Sequence, residues 1–334
     1  MRRVTSVAVA MLIASAIQFD GISMSPIAAQ DRVAGIISAA RKALGGEDKI
    51  AGLKTLTAEG PFRRSMGGRD MEGTLIVTLG RPDKMHRLEE MQMGGMVGGP
   101  VIERTMAVSG ASSWEDTQNR GGMGGGMRIM MAGPGQGPGG GTLTPEQINE
   151  ARTRRMRAQM HRLTAALLAD AGTQWVDAGI AESPDGKADI LECKEETGRT
   201  LRLFIDQDTK LPLMVQYQDP KPMVMVAGGR GPGGPGGPPP PPPPPGGAPV
   251  AGGPPLPPPA PMSQEEMQKR VEEMRRNPPP LGTYAIHLSE FKKVDGIMLP
   301  HKLETSLDGE PNEEWTIEKF KVNPSIKADL WEKK

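Results

Sequence analysis

The sequence predicts an α+β fold built on one antiparallel sheet. Three observations point to it. Short apolar runs alternate with polar residues between glycine-rich turns, as half-buried strands do. Two other stretches repeat their apolar residues at helical spacing. Two low-complexity blocks interrupt the strand pattern, which resumes after each of them. The 334 residues include 44 Gly and 34 Pro, gathered mainly in those blocks, so the ordered remainder of about 200–220 residues fits a single domain.

The chain opens with Arg2 and Arg3, a 14-residue apolar run from Val4 to Ile17, and a small-residue exit at Ser25–Gln30. This order describes a secretory signal peptide over residues 1–30. The run is short of the roughly 20 residues that a bilayer-spanning helix needs. The remaining residues, 31–334, are expected to form one domain in the periplasm, with no lipid-anchoring cysteine near the junction.

A helix is expected from Asp31 to Leu44, with Asp31 as cap, Val33, Ile36, Ile37 and Ala40 on one face, and Gly45-Gly46 as its stop. Strands follow from Leu53, over Gly73–Gly80, over Met85–Met91 and over Val101–Val108, the middle pair joined by the turn Arg81-Pro-Asp-Lys84. Gly110 to Trp114 reads as a turn followed by a half-buried aromatic. The first block, about 119–141, is Gly, Met and Pro, and cannot bury enough apolar surface to offset chain entropy. Thr144-Pro-Glu-Gln147 then opens a second helix, with Thr as cap and Pro at the first helical position. Its stripe comprises Ile148, Met156, Met160, Leu163 and Leu167.

Strands return over 174–178, 188–194, 200–205 and 211–217. In Thr200–Ile205 the apolar members 201, 203 and 205 alternate as one buried face requires. The second block, about 227–280, holds eight successive prolines, Pro238–Pro245, which favour an extended spacer. A charged helix from Ser263 ends before Pro278. Final strands fall at 282–288, 296–303 and 314–322. Both insertions are expected to be disordered loops grown out of one sheet.

Charge and chemistry exclude several classes. Lys plus Arg equals Asp plus Glu, 40 each, so nothing favours nucleic acid, whose binding needs clustered positive charge. The single thiol, Cys193, makes no internal disulfide and alternates with Leu191 as a buried strand residue. His86, His161, His287 and His301 have no metal-ligand spacing, and no nucleophile elbow or phosphate loop is present. No enzyme, metal or cofactor is predicted. The methionines at 91, 93, 96, 123, 127, 130 and 131 leave Cu(I) binding as a minor reading, although methionine also serves as a generic gap-filler.

Several turn-and-strand motifs together resemble the LolA-like outer-membrane lipoprotein carrier and lipoprotein-sorting superfamily. They are Ala43-Leu-Gly-Gly-Glu-Asp-Lys49, Arg81-Pro-Asp-Lys84, Ile205-Asp-Gln-Asp-Thr-Lys-Leu-Pro212, Phe291–His301 and Trp315–Pro324. The resemblance implies a strongly curved antiparallel sheet forming an unclosed barrel, helices covering its concave face, and acyl chains held on that face. The scarcity of aromatics, with five Phe, two Tyr and four Trp, departs from the family's usual cavity lining. From the alternating strands, the candidate lining residues are Leu75, Val77, Leu79, Leu201, Leu203, Ile205, Leu213 and Val215. The function expected is binding or carriage of a lipid or lipoprotein acyl chain by burial. The alternative is an envelope interaction protein that recruits a partner through the Pro-rich loop.

Overall fold

A computed structural model describes residues 26–66, 69–92, 101–120, 145–170, 172–184, 186–221 and 280–332. All of them belong to one compact unit. Residues 1–25 of the expected signal peptide, the Gly/Met-rich block beyond Arg120, and the Pro/Gly-rich block with its charged helix lie outside the described residues, whereas residues 26–30 form the start of the first helix.

Helix α1 spans Pro26–Leu44 and α2 Glu47–Ala51; α3 spans Pro145–Ala166. The strands are β1 Thr55–Met66, β2 Arg69–Gly80, β3 Lys84–Gln92, β4 Val101–Ser109, β5 Ser112–Arg120, β6 Val176–Ser183 and β7 Gly186–Lys194. They continue with β8 Thr200–Asp206, β9 Pro212–Pro220, β10 Leu281–Val294, β11 Ile297–Leu307, β12 Glu310–Thr316 and β13 Lys319–Val322. Among the described residues all thirteen form one antiparallel sheet, ordered β5-β4-β3-β2-β1-β12-β11-β10-β9-β8-β7-β6, with β13 also on β1. The sheet does not close, since β5 and β6 stand at opposite ends of that order. β9 pairs directly with β10, Pro220 opposite Leu281, although 222–279 separate them in the chain.

Two local differences from expectation have simple causes. α1 begins at Pro26, ahead of the expected cap Asp31, because Ile-Ala-Ala-Gln continues the helix backwards at little cost. Strand β5 runs through Ser-Ser-Trp-Glu-Asp-Thr-Gln-Asn-Arg, where only a turn and an aromatic were legible. It is an edge strand, whose polar residues are tolerated on the outer side.

The sheet curls around α3. On the helix, the Thr153 hydroxyl donates to Ser113 Oγ of β5 at 2.8 Å, and Arg162 donates to Asp219 of β9 at 2.6 Å. Those two helix positions lie about 14 Å apart, at about 1.5 Å per residue. In a flat sheet β5 and β9 would be eight strand spacings apart, about 38 Å at about 4.8 Å each. Only a bent sheet brings both to one short helix, so α3 lies on the inner side of the bend.

The inner face follows from the register. Leu56, Ala58 and Phe62 of β1 sit opposite Leu79, Val77 and Gly73 of β2. On the other arm, Leu201 and Leu203 of β8 face Cys193 and Leu191 of β7, and Tyr217 and Val215 of β9. Leu75, Leu191, Leu201, Leu203, Ile205 and Val215 are fully buried there. Among the described residues, no helix is long and apolar enough to cross a membrane.

Candidate functional site: an apolar cleft under helix α3

Between α3 and the middle of the sheet lies a cleft with an almost wholly apolar wall. Its floor is Leu56 and Ala58 of β1, Val77 and Leu79 of β2, Leu288 of β10, and Leu299, Pro300 and Leu303 of β11. Trp315, Ile317 and Phe320, at and after the end of β12, close one side, and Leu163, Ala166 and Leu167 form the roof. The floor follows from strand alternation, and the roof from helical spacing of 163, 166 and 167. Counting its open mouth, the cleft comprises about 500 Å³ of empty space, but only about 50 Å³ lies clear enough of the walls for a water's centre. That is room for a few waters at about 10–15 Å³ each, whereas formed ligand sites run to about 300–1,000 Å³. As it stands, the cleft is smaller than a formed ligand site.

The roof is held by polar contacts at both ends. Near its start, Thr153 bonds Ser113, and Ser113 reaches Asn149. Further on, Arg162 grips Glu195 through Nε at 2.7 Å and Nη2 at 3.0 Å, and donates from Nη1 to Asp219. Its guanidinium lies 3.6 Å from the centre of the Tyr217 ring, and Tyr217 stacks on Tyr284. Burial opposes charge on Arg162, but the two carboxylates outweigh it and raise its pKa. Arg41 of α1 also donates to the Leu168 carbonyl just beyond α3.

Beside the cleft, on β1, β3 and β12, is a buried ionic network. Arg64 bonds Glu89 at 2.8 Å and Glu313 at 2.9 Å; Arg87 pairs with both carboxylates. Glu89 is fully buried, which would raise its pKa, yet Arg87 and Arg64 hold it at about 2. Glu313 is likewise lowered by the same two arginines against its burial. Arg87 lies over the Trp315 ring at 4.7 Å, and the Trp315 indole donates to Glu313 at 2.6 Å. Trp315 therefore belongs to both the cleft wall and the network.

The sequence-predicted lining residues divide. Val77 and Leu79 line the cleft. Leu75 is buried on the same face, but outside the lining. Leu201, Leu203, Ile205 and Val215 are buried on the far arm, also outside it. Leu213 is 40% exposed, because the β8–β9 register slips there: Phe204 pairs with Met214 and Ile205 with Pro212. Leu213 is the bulged residue, and a bulge re-aims its side chain. Sequence reasoning passed over Leu56, Ala58, Leu288, Leu299 and Leu303, although each sits in an alternating run. Leu163 and Leu167 were legible as part of the helix stripe.

The remaining reactive side chains have quieter settings. Cys193 is 3% exposed on the inner face; burial, then neighbouring carboxylates, push its thiol up to about 12. His86 packs edge-on to Trp114, and burial lowers its pKa. His301 Nδ1 lies 2.7 Å from the Ile317 carbonyl, a contact that requires a proton on Nδ1, and among the described residues its Nε2 is buried without a hydrogen-bond partner. Met91 is buried, and the other methionines of the copper reading lie outside the described residues. Among the described residues no group of three or more His, Cys, Asp or Glu could hold a metal.

No protein-family model matches the chain, and no curated protein matches it. Solved structures similar to it include a DUF1329 family protein from Desulfovibrio piger, with 10% identity and a TM-score of 0.39 over 90% of this chain and 97% of that one. A putative outer membrane lipoprotein-sorting protein domain from Vibrio parahaemolyticus gives 9% identity and a TM-score of 0.40 over 88% and 94%. A LolA superfamily protein from Nitrosomonas europaea gives 9% identity and a TM-score of 0.37 over 90% and 97%.

Proposed function

We propose that the chain binds the hydrocarbon of a lipid, or the acyl chain of a lipoprotein, in the cleft beneath α3. It does so by burial and without covalent chemistry, in the periplasm after removal of residues 1–30. The observation that carries this reading is the cleft's wall, which places aliphatic and aromatic side chains from six strands and a helix around one hollow without a charged group. Each buried methylene contributes about 0.8 kcal/mol. Lifting α3 costs part of that gain, which suits a carrier that must release its cargo. The turn motifs shared with the lipoprotein-sorting superfamily support the same reading.

The test is to fill the hollow. Ala58 and Ala166 line opposite walls, and Ala58→Leu with Ala166→Leu adds bulk where space already exists. In the double variant, verified as folded by circular dichroism, uptake of a fluorescent long-chain fatty acid is expected to fall at least tenfold. Unchanged uptake by the folded variant would remove the cleft as the binding site.

A further inference from the structure

The row of side chains that starts in the cleft wall does not remain apolar. Across the ladder from Val77, on the same face, stands Arg87, then Met106, then Glu115. In the neighbouring row Leu75 is followed by Glu89, Arg104 and Thr117. The inner face therefore changes from oily to charged within one strand spacing of the cleft, beneath the first half of α3.

That charged patch carries more cations than anions. Arg104 grips Glu115 Oε1 through Nε at 2.8 Å and Nη2 at 2.6 Å. From α3, Arg152 and Arg155 share the other oxygen at 3.5 and 3.6 Å. Among the described residues five guanidiniums, of Arg64, Arg87, Arg104, Arg152 and Arg155, thus divide three carboxylates, Glu89, Glu115 and Glu313. Among the described residues Arg87 Nε is buried without a partner, and an unmet buried donor costs about 1–3 kcal/mol. Burial and the neighbouring Arg104, Arg152 and Arg87 lower Arg155 from its ordinary value, with Glu115 opposing. The patch opens outward, since the Arg87 side chain is 5% exposed whereas those of Arg152 and Arg155 are 26% and 36%.

We infer that this patch is the headgroup end of the cleft, so that the cargo is an anionic amphiphile. Its phosphate or carboxylate sits among Arg87, Arg104, Arg152 and Arg155 while its chain runs past Trp315 beneath α3. The spacing suits this arrangement. From β2, which holds the cleft wall, to β5 is three strand spacings, about 14 Å, and the route is bridged by Arg87 over the Trp315 ring. Guanidiniums match such oxyanions with paired donors.

This inference rests on the hydrocarbon-binding reading, and the experiment separates the two. Hexadecyl phosphate, monopalmitin (an uncharged ester of the same chain length) and inorganic phosphate are titrated below micellar concentrations by calorimetry, against the wild type and an Arg152→Gln/Arg155→Gln variant. Both replaced side chains are partly exposed, so the fold is kept. Hexadecyl phosphate is expected to bind the wild type at least tenfold more tightly than monopalmitin. The variant should lose most of that preference while its affinity for monopalmitin is unchanged, and an Arg155→Lys variant should retain most of it. Equal binding of the two amphiphiles would overturn the headgroup site and leave the hydrocarbon reading standing. Inorganic phosphate binding as tightly as hexadecyl phosphate would mean a free-anion site and overturn the inference. Binding of neither amphiphile would overturn both.

Discussion

If hydrocarbon enters beneath α3, a roof that cannot lift should not admit it. Thr153 Oγ1 and Ser113 Oγ are 2.8 Å apart, close enough that cysteines at both positions should oxidise to a disulfide. Cys193, buried with its thiol pushed up to about 12, does not compete. Arg162 already ties the second half of α3 to Glu195 and Asp219, so the new bond fixes both halves. The locked cleft keeps about 50 Å³ of usable space, far below the about 300 Å³ at which ligand sites begin. At about 0.8 kcal/mol per methylene, excluding three methylenes removes about 2.4 kcal/mol, or about 60-fold in affinity. Fluorescent fatty-acid uptake by Ser113→Cys/Thr153→Cys should therefore fall by at least that factor when oxidised and recover with reductant. Equal uptake by both forms, with the disulfide verified by mass, would refute the lifting roof.

Other outcomes follow from the same contacts. Glu89→Gln leaves Arg87 and Arg64 buried beside a weaker partner, and should cost about 3–5 kcal/mol in denaturant unfolding. The depressed Glu89 stabilises the fold fully above the ordinary carboxylate value of 4.5, and that stability is lost as pH falls toward 2, with the lowered Glu313 acting in the same direction. The Tm should therefore drop across that window, and less steeply in Glu89→Gln. Leu203→Ala, in the core but outside the cleft, should cost about 2–5 kcal/mol of stability while leaving uptake unchanged.

Alternation and turn chemistry made the sheet legible: Thr200–Ile205 and Gly73–Gly80 are strands because their apolar residues recur every second position. The site was less legible. A period of two says that Leu203 and Leu79 both face inward, but not that only Leu79 lies where the roof leaves a gap. That depends on the strand order, which seats β12 beside β1 and brings Trp315 against Phe62. The β9 bulge that turns Leu213 outward leaves no mark that alternation alone can read. Nor could the charged patch be foreseen, because Arg64, the β3 pair Arg87 and Glu89, and Glu313 lie on three strands remote in sequence and meet only through the register of three strand pairs.

The most direct test of the central claim is to trap the cargo where it lies. A fatty acid carrying a photoreactive diazirine near its methyl end, irradiated on the full-length protein and mapped by peptide mass spectrometry, should label the cleft wall: Leu56–Ala58, Leu163–Leu167 and Leu299–Leu303. Labelling confined to exposed sites such as Val176 and Ile180, or to residues 222–279, with the cleft peptides unmodified, would contradict it.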